Sequence, residues 1–177
     1  MAMVNLFFAI KPPTAKASAI AQFAAVIRSA HGLCGQSMGA ERLHVTLAPC
    51  HAGRQGLDDA IERAMAVGAA LRHHAFPVTF EWTESFYSRP GRCPLVLRGE
   101  QGLGDLCAFR ADLRDRMRRA GLGVDPGFTP HVTLIWADRL VGQHPVAPIC
   151  WQAAELLLVQ SHVGHSRHTH VAQWRLE

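Results

Sequence analysis

The tetrapeptide His-Val-Thr-Leu occurs twice in this chain, at residues 44–47 and at residues 131–134. Each copy lies in a short apolar run that contains β-branched residues, which predicts a buried strand. Alternate residues of a strand point to the same face. His44 is therefore expected to project together with Thr46, and His131 together with Thr133. If the fold brings the two strands together, one site receives two imidazoles and two hydroxyl groups.

These groups suit displacement at phosphorus. A neutral imidazole can accept a proton and a charged one can donate it, and each role contributes roughly a hundred- to ten-thousand-fold in rate. The hydroxyls of Thr46 and Thr133 can donate hydrogen bonds to the non-bridging phosphate oxygens. In-line attack needs base and acid on opposite sides of phosphorus, which a pseudo-twofold pair of strands supplies. We therefore expect no metal and no other cofactor, while the residues alone leave open which histidine is the acid.

Length and composition indicate one globular domain over residues 1–177, with 49% hydrophobic and 18% charged residues. The net charge of +4 suits an anionic partner. Five cysteines without a close CxxC pair indicate reduced thiols in the cytoplasm and argue against a disulfide framework. The apolar run at Val4–Ile10 is too short to span a membrane. We expect a cytoplasmic monomer with no membrane contact and no protein partner.

Hydrophobic periodicity predicts an α+β chain with two similar halves, because a helix and then a loop precede each His-Val-Thr-Leu strand. Thr14 or Ser18 is expected to cap the first helix, and residues 32–40 and 137–149 are expected to be irregular. The predicted helices cover residues 14–30, 57–72 and 103–120. Besides the two motif strands, the predicted strands cover residues 4–10, 76–86, 94–98, 153–161 and 167–176.

The third predicted helix has an apolar stripe and a basic face. Its core stripe is expected to be formed by Leu106, Phe109, Leu113 and Met117. Its arginines are expected to lie outside, where a solvated surface is favoured over a patch that binds nucleic acid. They are Arg110, Arg114, Arg116, Arg118 and Arg119.

The doubled motif and its flanks resemble the 2H phosphoesterase superfamily. More narrowly, the chain is similar to the RNA 2′,3′-cyclic phosphodiesterase branch, the LigT-like proteins also called 2′-5′ RNA ligases. The similarity covers the opening strand at residues 5–10, the Phe-x-Pro-His lead and second motif at residues 128–134, and the closing segments at residues 155–161 and 174–176. It implies a bilobed, pseudo-twofold α+β fold with two antiparallel sheets around a central cleft and flanking helices.

The resemblance also implies a reaction and the role of each motif residue. The substrate would be RNA or a nucleotide with a 2′,3′-cyclic phosphate, which is hydrolysed to a 2′-phosphate. His44 would donate a proton to the leaving 3′ oxygen, His131 would accept a proton from water, and Thr46 and Thr133 would bind the phosphate. Two alternatives remain open, namely 2′-5′ ligation of RNA ends and a non-catalytic module that binds RNA ends.

The chain departs from the branch at three places. Ala48-Pro49-Cys50-His51 replaces the usual Phe-Leu-Gly, Ile135-Trp136 replaces Ala-Arg, and His170 stands where a tyrosine is common. These changes affect the expected substrate more than the reaction class. Phe128 and Trp136 are candidates for stacking on a base, with core packing as the alternative.

The histidine-rich tail at residues 162–170 contains a further candidate. We expect one of these histidines, taken as His170, to line the cleft and contact phosphate or ribose. A metal site is the alternative, but this stretch has no carboxylate partner and Gly164 is expected to turn the chain within it.

Overall fold

The computed structural model describes residues 4–51, 56–88, 90–162 and 167–177. Within these residues the chain forms three α-helices, namely α1 (Thr14–Ala30), α2 (Leu57–Ala70) and α3 (Gly104–Arg119). The described strands are β1 (Val4–Ile10), β2 (Gly35–Ser37), β3 (Val45–Pro49), β4 (Phe76–Ser85), β5 (Cys93–Arg98), β6 (Val132–Ala137), β7 (His144–Ala153), β8 (Glu155–His162) and β9 (Arg167–Arg175). Each helix begins and ends within two residues of its predicted bounds.

The strands form two antiparallel sheets, in the orders β3-β1-β8-β9 and β2-β6-β5-β4-β7. Helix α1 packs against β2 and β6 of the second sheet, and α2 packs against β8 and β9 of the first. Helix α3 contacts β3 of the first sheet and β4 of the second, so it bridges the two. This arrangement confirms the predicted fold with two antiparallel sheets and flanking helices.

The two motif strands meet although they are far apart in sequence. Strand β3 is the edge of the first sheet, and β6 lies next to the short edge strand β2 in the second sheet. The two strands contact each other between the sheets. The buried faces of both strands therefore belong to one continuous core, which includes Val45, Leu47, Val132 and Leu134.

A β-bulge occurs in β3 immediately after the motif threonine. Thr46 pairs with Ala9, but the next pair is Ala48 with Phe8, so Leu47 is the extra residue. A bulge of this kind bends the strand and places two successive side chains on the same side. Leu47 and Ala48 are accordingly both buried, with 1% of each residue exposed.

Strand β6 repeats this bulge at the equivalent position. Thr133 pairs with Val96 and Ile135 pairs with Leu95, which leaves Leu134 as the extra residue. Leu134 and Ile135 are both fully buried. The residue that follows them is therefore returned to the face that carries the motif threonine. The pseudo-twofold similarity of the two halves extends to this irregularity.

Two strands lie where the sequence predicted irregular structure. Strand β2 falls within residues 32–40 and pairs with β6, and β7 occupies part of residues 137–149 and pairs with β4. Both are edge strands, and β7 contains Pro145 and Pro148, which are typical of edge positions. Such strands bury one face at most, so the hydrophobic alternation in their sequence is weak and did not indicate a strand.

The predicted side-chain cap of α1 is wrong. Pro13 occupies the N-cap position without a side-chain cap, and the Ser18 hydroxyl donates to the Thr14 carbonyl instead. Proline has no side-chain oxygen to accept from the first helical N–H groups, so the helix begins without a side-chain cap. All five cysteines lie within the described residues, and they are thiols that form no disulfide. Among the described helices, none is both long and apolar enough to cross a membrane.

Candidate active site

The sheets border a cleft with a cavity volume of about 1550 Å³. All four motif residues line it, so the structure brings His44, Thr46, His131 and Thr133 together. Their side chains are half-buried, whereas the valine and leucine of each motif are buried on the other side. This is the alternation that the sequence predicted, with both motif strands turned toward the same cavity.

The two histidines are oriented by the same local hydrogen bond. His44 Nδ1 lies 2.6 Å from the carbonyl oxygen of Arg42, and His131 Nδ1 lies 2.7 Å from that of Thr129. A carbonyl oxygen can only accept, so Nδ1 carries the proton and donates in both rings. In a neutral imidazole with this tautomer, Nε2 is an acceptor. Each histidine therefore offers its Nε2 atom for proton transfer.

Aromatic side chains hold both imidazole rings. The Phe7 ring stacks on His44 with 5.2 Å between ring centroids and an interplanar angle of 25°. The edge of the Phe86 ring meets His131 at 5.1 Å and 79°. Such contacts and the Nδ1 hydrogen bonds restrict ring rotation, which keeps the proton-transfer atoms in place. Neither phenylalanine was a candidate from the sequence, because both are distant from the motifs along the chain.

The pKa values of both histidines are lowered in the free protein. Burial lowers the pKa of His44 to about 4, against the opposing hydrogen bond to the Arg42 carbonyl and with nearby His168 acting in the same direction. Burial also lowers the pKa of His131, and the charge of Arg98 adds to this effect. Both rings are therefore neutral near pH 7. A phosphate anion in the cleft would raise both pKa values, because it stabilises the charged imidazolium.

The described lining of the cleft is basic and contains no carboxylate. It includes two arginines, Arg42 and Arg92. It also includes five histidines: His44, His51, His131, His162 and His168. Because His44 and His131 are neutral until an anion binds, the positive charge of the lining comes from its arginines, and charge of one sign in a cleft attracts counter-charged ligands. The cleft therefore suits an anionic substrate.

Of the three candidate substrate-binding residues, Trp136 lies in the cleft. The described lining does not include Phe128 or His170. The Phe128 ring instead packs against the core and contacts the guanidinium of Arg110, with 4.8 Å from Cζ to the ring centroid. His170 is exposed on β9.

The described lining does not include His170 but includes two other histidines of this tail, His162 and His168. The His168 ring meets His44 edge-on, with 5.3 Å between centroids. His168 and His170 are separated by one residue on β9, so alternation assigns both to the same face. Only the position of β9 relative to the cleft distinguishes them. The turn expected at Gly164 and the tail histidine His165 lie outside the described residues.

The prediction that Arg110 lies on the solvent-exposed face of α3 is wrong, since only 5% of the residue is exposed. Its guanidinium donates to the carbonyl of Leu47 at 3.3 Å, and to those of Asp125 and Gly127 at 2.7 and 3.0 Å. It therefore joins the first motif strand to the loop that precedes the second motif. Helical spacing held a signal for this, because position 110 is four residues after the buried Leu106.

The part of the chain that the structure describes contains no group of three or more histidine, cysteine or acidic residues arranged to hold a metal ion. This observation describes the arrangement of side chains that could bind a metal and does not test the reaction. The expectation of a metal-independent reaction remains a prediction. It is tested below with a chelator.

Two antiparallel sheets that present paired His-x-Thr motifs to a shared cleft define the architecture of a 2H phosphoesterase. Residues 4–165 match the family model described as the 2′-5′ RNA ligase superfamily. The chain belongs to this superfamily, as its motifs predicted. Membership supports an activity of the phosphoesterase or RNA-ligase type.

Solved structures show the same fold. Apo LigT from E. coli is 24% identical with a TM-score of 0.73, and the similarity covers 98% of each chain. E. coli LigT complexed with 3′-AMP is 25% identical with a TM-score of 0.70, over 97% of each chain. A protein from Thermus thermophilus is 21% identical with a TM-score of 0.70, again over 97% of each chain. No curated protein matches the sequence.

Proposed function

We propose that this protein hydrolyses a 2′,3′-cyclic phosphate at the end of RNA or on a nucleotide, and that the product is a 2′-phosphate. The observation that carries the proposal is the pair of Nδ1-anchored imidazoles, His44 and His131, which share one basic cleft with two threonine hydroxyls. The fold is also that of E. coli LigT, which has been solved with 3′-AMP and with phosphate. That LigT was solved with these ligands supports a nucleotide phosphate as the ligand of this chain.

In the proposed reaction the cyclic phosphate lies between the two imidazoles. Nε2 of His131 accepts a proton from water, and the water oxygen forms a new bond to phosphorus. The bond from phosphorus to the 3′ oxygen breaks, and Nε2 of His44 donates a proton to that oxygen. The hydroxyls of Thr46 and Thr133 donate to the non-bridging oxygens, where negative charge grows in the transition state.

The family resemblance alone supplies the assignment of acid and base, because the pKa values of both histidines are lowered in the free protein. The charge of Arg98 near His131 disfavours a protonated ring, as a general base requires. His44 has a pKa of about 4 in the free protein, so it can act as an acid only after its pKa rises. The negative charge of the substrate supplies this rise, so His44 is expected to become protonated as the phosphate binds.

The direct test uses adenosine 2′,3′-cyclic phosphate in excess EDTA, with phosphorus NMR or chromatography to separate the products. The expected product is adenosine 2′-phosphate. His44→Ala and His131→Ala should each lower kcat by roughly a hundred- to ten-thousand-fold, whereas His74→Ala, at an exposed histidine outside the cleft, should behave as wild type. Loss of turnover in EDTA would rule out the metal-independent mechanism. Wild-type turnover in both cleft variants would rule out the site.

The second candidate is 2′-5′ ligation, which the size of the cleft favours. Its volume of about 1550 Å³ exceeds the roughly 300–1000 Å³ of ordinary small-molecule pockets, which leaves room for a second RNA end. In this reaction a 5′-hydroxyl would replace water as the nucleophile at His131. An RNA with a cyclic phosphate and an acceptor with a 5′-hydroxyl should then give a 2′-5′ linkage. Binding of cyclic-phosphate ends without any turnover would instead indicate a non-catalytic module.

A further inference from the structure

We infer that Arg92 binds a second phosphate group of the substrate, the phosphodiester adjacent to the terminal nucleotide, and that Trp136 holds the guanidinium in place for this contact. The inference rests on the proposed function of the same cleft. It narrows the substrate from any nucleotide with a cyclic phosphate to an RNA end with at least one phosphodiester linkage. Neither the motif residues nor their spacing assigns this role to Arg92.

The position of Trp136 depends on the bulge at Leu134. Without that bulge, alternation along β6 would place Thr133 and Trp136 on opposite faces. With it, Trp136 lies on the cleft side, three residues beyond the threonine expected to bind the cyclic phosphate. Pro94, at the start of β5, pairs directly with Trp136. This pairing brings Arg92, two residues earlier, next to the indole ring.

The geometry of the pair orders the arginine. The guanidinium carbon of Arg92 lies 4.4 Å from the centroid of the Trp136 ring, within the range of a cation–π contact. Both residues line the cleft. The Trp136 ring, which was expected from the sequence to stack on a base, therefore already contacts the Arg92 guanidinium. An arginine held on an aromatic face keeps its hydrogen-bond donors free for a phosphate.

The charge of Arg92 is not neutralised by the cleft. Among the described residues, the ion pairs do not include Arg92, and no carboxylate lines the cavity. Arg92 is exposed to the solvent of the cleft. A cation that is already oriented and lacks an acidic partner favours an anionic ligand.

Distance separates this position from the cyclic phosphate. Strands rise about 3.3 Å per residue, and the bulge makes Thr133–Trp136 span only two residues of β5, so Trp136 lies roughly 7 Å along β6 from Thr133. A guanidinium held against Trp136 is displaced along the strand from Thr133 and can meet the next phosphate of a nucleic-acid strand. The cavity of about 1550 Å³ has room for more than one nucleotide.

The test compares two substrates that differ by one nucleotide and hence by one phosphodiester: adenosine 2′,3′-cyclic phosphate, and the dinucleotide ApA that ends in a 2′,3′-cyclic phosphate. For Arg92→Ala, kcat/KM on the dinucleotide should fall roughly tenfold or more, as expected for a charge-assisted hydrogen bond. On the mononucleotide it should stay within about twofold. Arg119→Ala removes an exposed arginine from α3 and should change neither value.

Two more variants separate the charge from the stacking. Arg92→Lys keeps the charge but loses the planar donors, so it should recover only part of the loss on the dinucleotide. Trp136→Ala leaves the arginine without its aromatic face and should resemble Arg92→Ala on the dinucleotide. Thermal unfolding of each variant checks that the fold is retained.

Equal losses on both substrates in Arg92→Ala would overturn the inference, because the arginine would then serve the reacting phosphate. Wild-type activity of this variant on the dinucleotide would overturn it as well. If the wild type hydrolyses neither substrate, the proposed function fails separately. Arg92 is then judged by the affinity for the ApA dinucleotide with a terminal 2′-phosphate, which Arg92→Ala must weaken more than the affinity for adenosine 2′-phosphate.

Discussion

His44 and His131 each donate the Nδ1 proton to the carbonyl of the residue two positions earlier. This local hydrogen bond fixes the tautomer without help from a distant side chain. Their surroundings differ, because His44 lies among Phe7 and His168, whereas His131 lies near Phe86 and within the field of Arg98. The Nδ1 hydrogen bonds of the two imidazoles are equivalent, but their neighbouring side chains differ, so the two rings have different tendencies to bind a proton.

The lowered pKa of His44 predicts that stability depends on pH. The folded-state pKa is about 4, below the unfolded value of about 6.5, so the unfolded chain binds more protons between these values. This contribution to the free energy of unfolding is complete above pH 6.5 and is lost as the pH falls toward 4. Urea denaturation at pH 7 and pH 5 should show a smaller fall for His44→Gln than for wild type. An equal fall in both proteins, with His74→Gln as the control, would contradict the assignment.

The threonine hydroxyls carry a second prediction at this scale. Thr46→Val and Thr133→Val preserve the shape of the side chain but remove the donor to the phosphate. Each should lower kcat/KM roughly 10- to 100-fold, the range for one lost hydrogen bond to a charged group. Steady-state kinetics on adenosine 2′,3′-cyclic phosphate measures this. Thr169→Val, on β9, serves as the control. Unchanged kinetics in both cleft variants would exclude the proposed phosphate contacts.

At the scale of elements, the first motif strand and the loop before the second motif are joined in two ways. Arg110 on α3 donates to carbonyls on both sides of this junction. In addition, His51 forms an isolated antiparallel bridge with Gly123. The relative position of the two motifs therefore depends on an arginine that neither motif contains.

Replacement of Arg110 by methionine should damage both stability and activity. The carbonyls of Leu47, Asp125 and Gly127 would lose their donor, which should lower the free energy of unfolding by about 2–4 kcal/mol. At a temperature where the variant is folded, kcat should also fall, since small shifts between catalytic groups are costly. Urea denaturation and kinetics measure these effects against Arg119→Met. Wild-type stability of Arg110→Met would refute the role of this residue.

At the scale of the whole molecule, the two sheets form a cleft whose described lining is basic and lacks carboxylates. Helix α1 crosses from one sheet to the other, because it follows β1 of the first sheet yet packs on the second. The halves are thereby interlocked around a shared cavity. This arrangement allows two distant copies of a tetrapeptide to act on one ligand.

The charge of the cleft predicts that salt weakens substrate binding. With two phosphates held by the protein, raising monovalent salt from 50 to 200 mM should increase KM for the ApA dinucleotide cyclic phosphate roughly five- to tenfold. The value of kcat should change little, because bound charges are shielded from mobile ions. Steady-state kinetics over this range measures both constants. A KM that does not respond to salt would contradict electrostatic recognition.

The sequence by itself determined the motif residues, the face of each motif strand and the bounds of the helices. These features follow from local rules, since strand alternation and helical spacing depend only on neighbouring residues. The core stripe of α3 at Leu106, Phe109, Leu113 and Met117 was predicted for the same reason, and all four residues are buried.

Only the tertiary structure decided which further residues reach the cleft. The bulge at Leu134 turns Trp136 inward, and its register is set by the pairing with β5. The choice of His168 over His170 depends on where β9 lies relative to β1 and β3. The burial of Arg110 depends on carbonyl groups that come from two other segments. Each of these outcomes arises from contacts between segments that are distant in sequence, which alternation and spacing do not record.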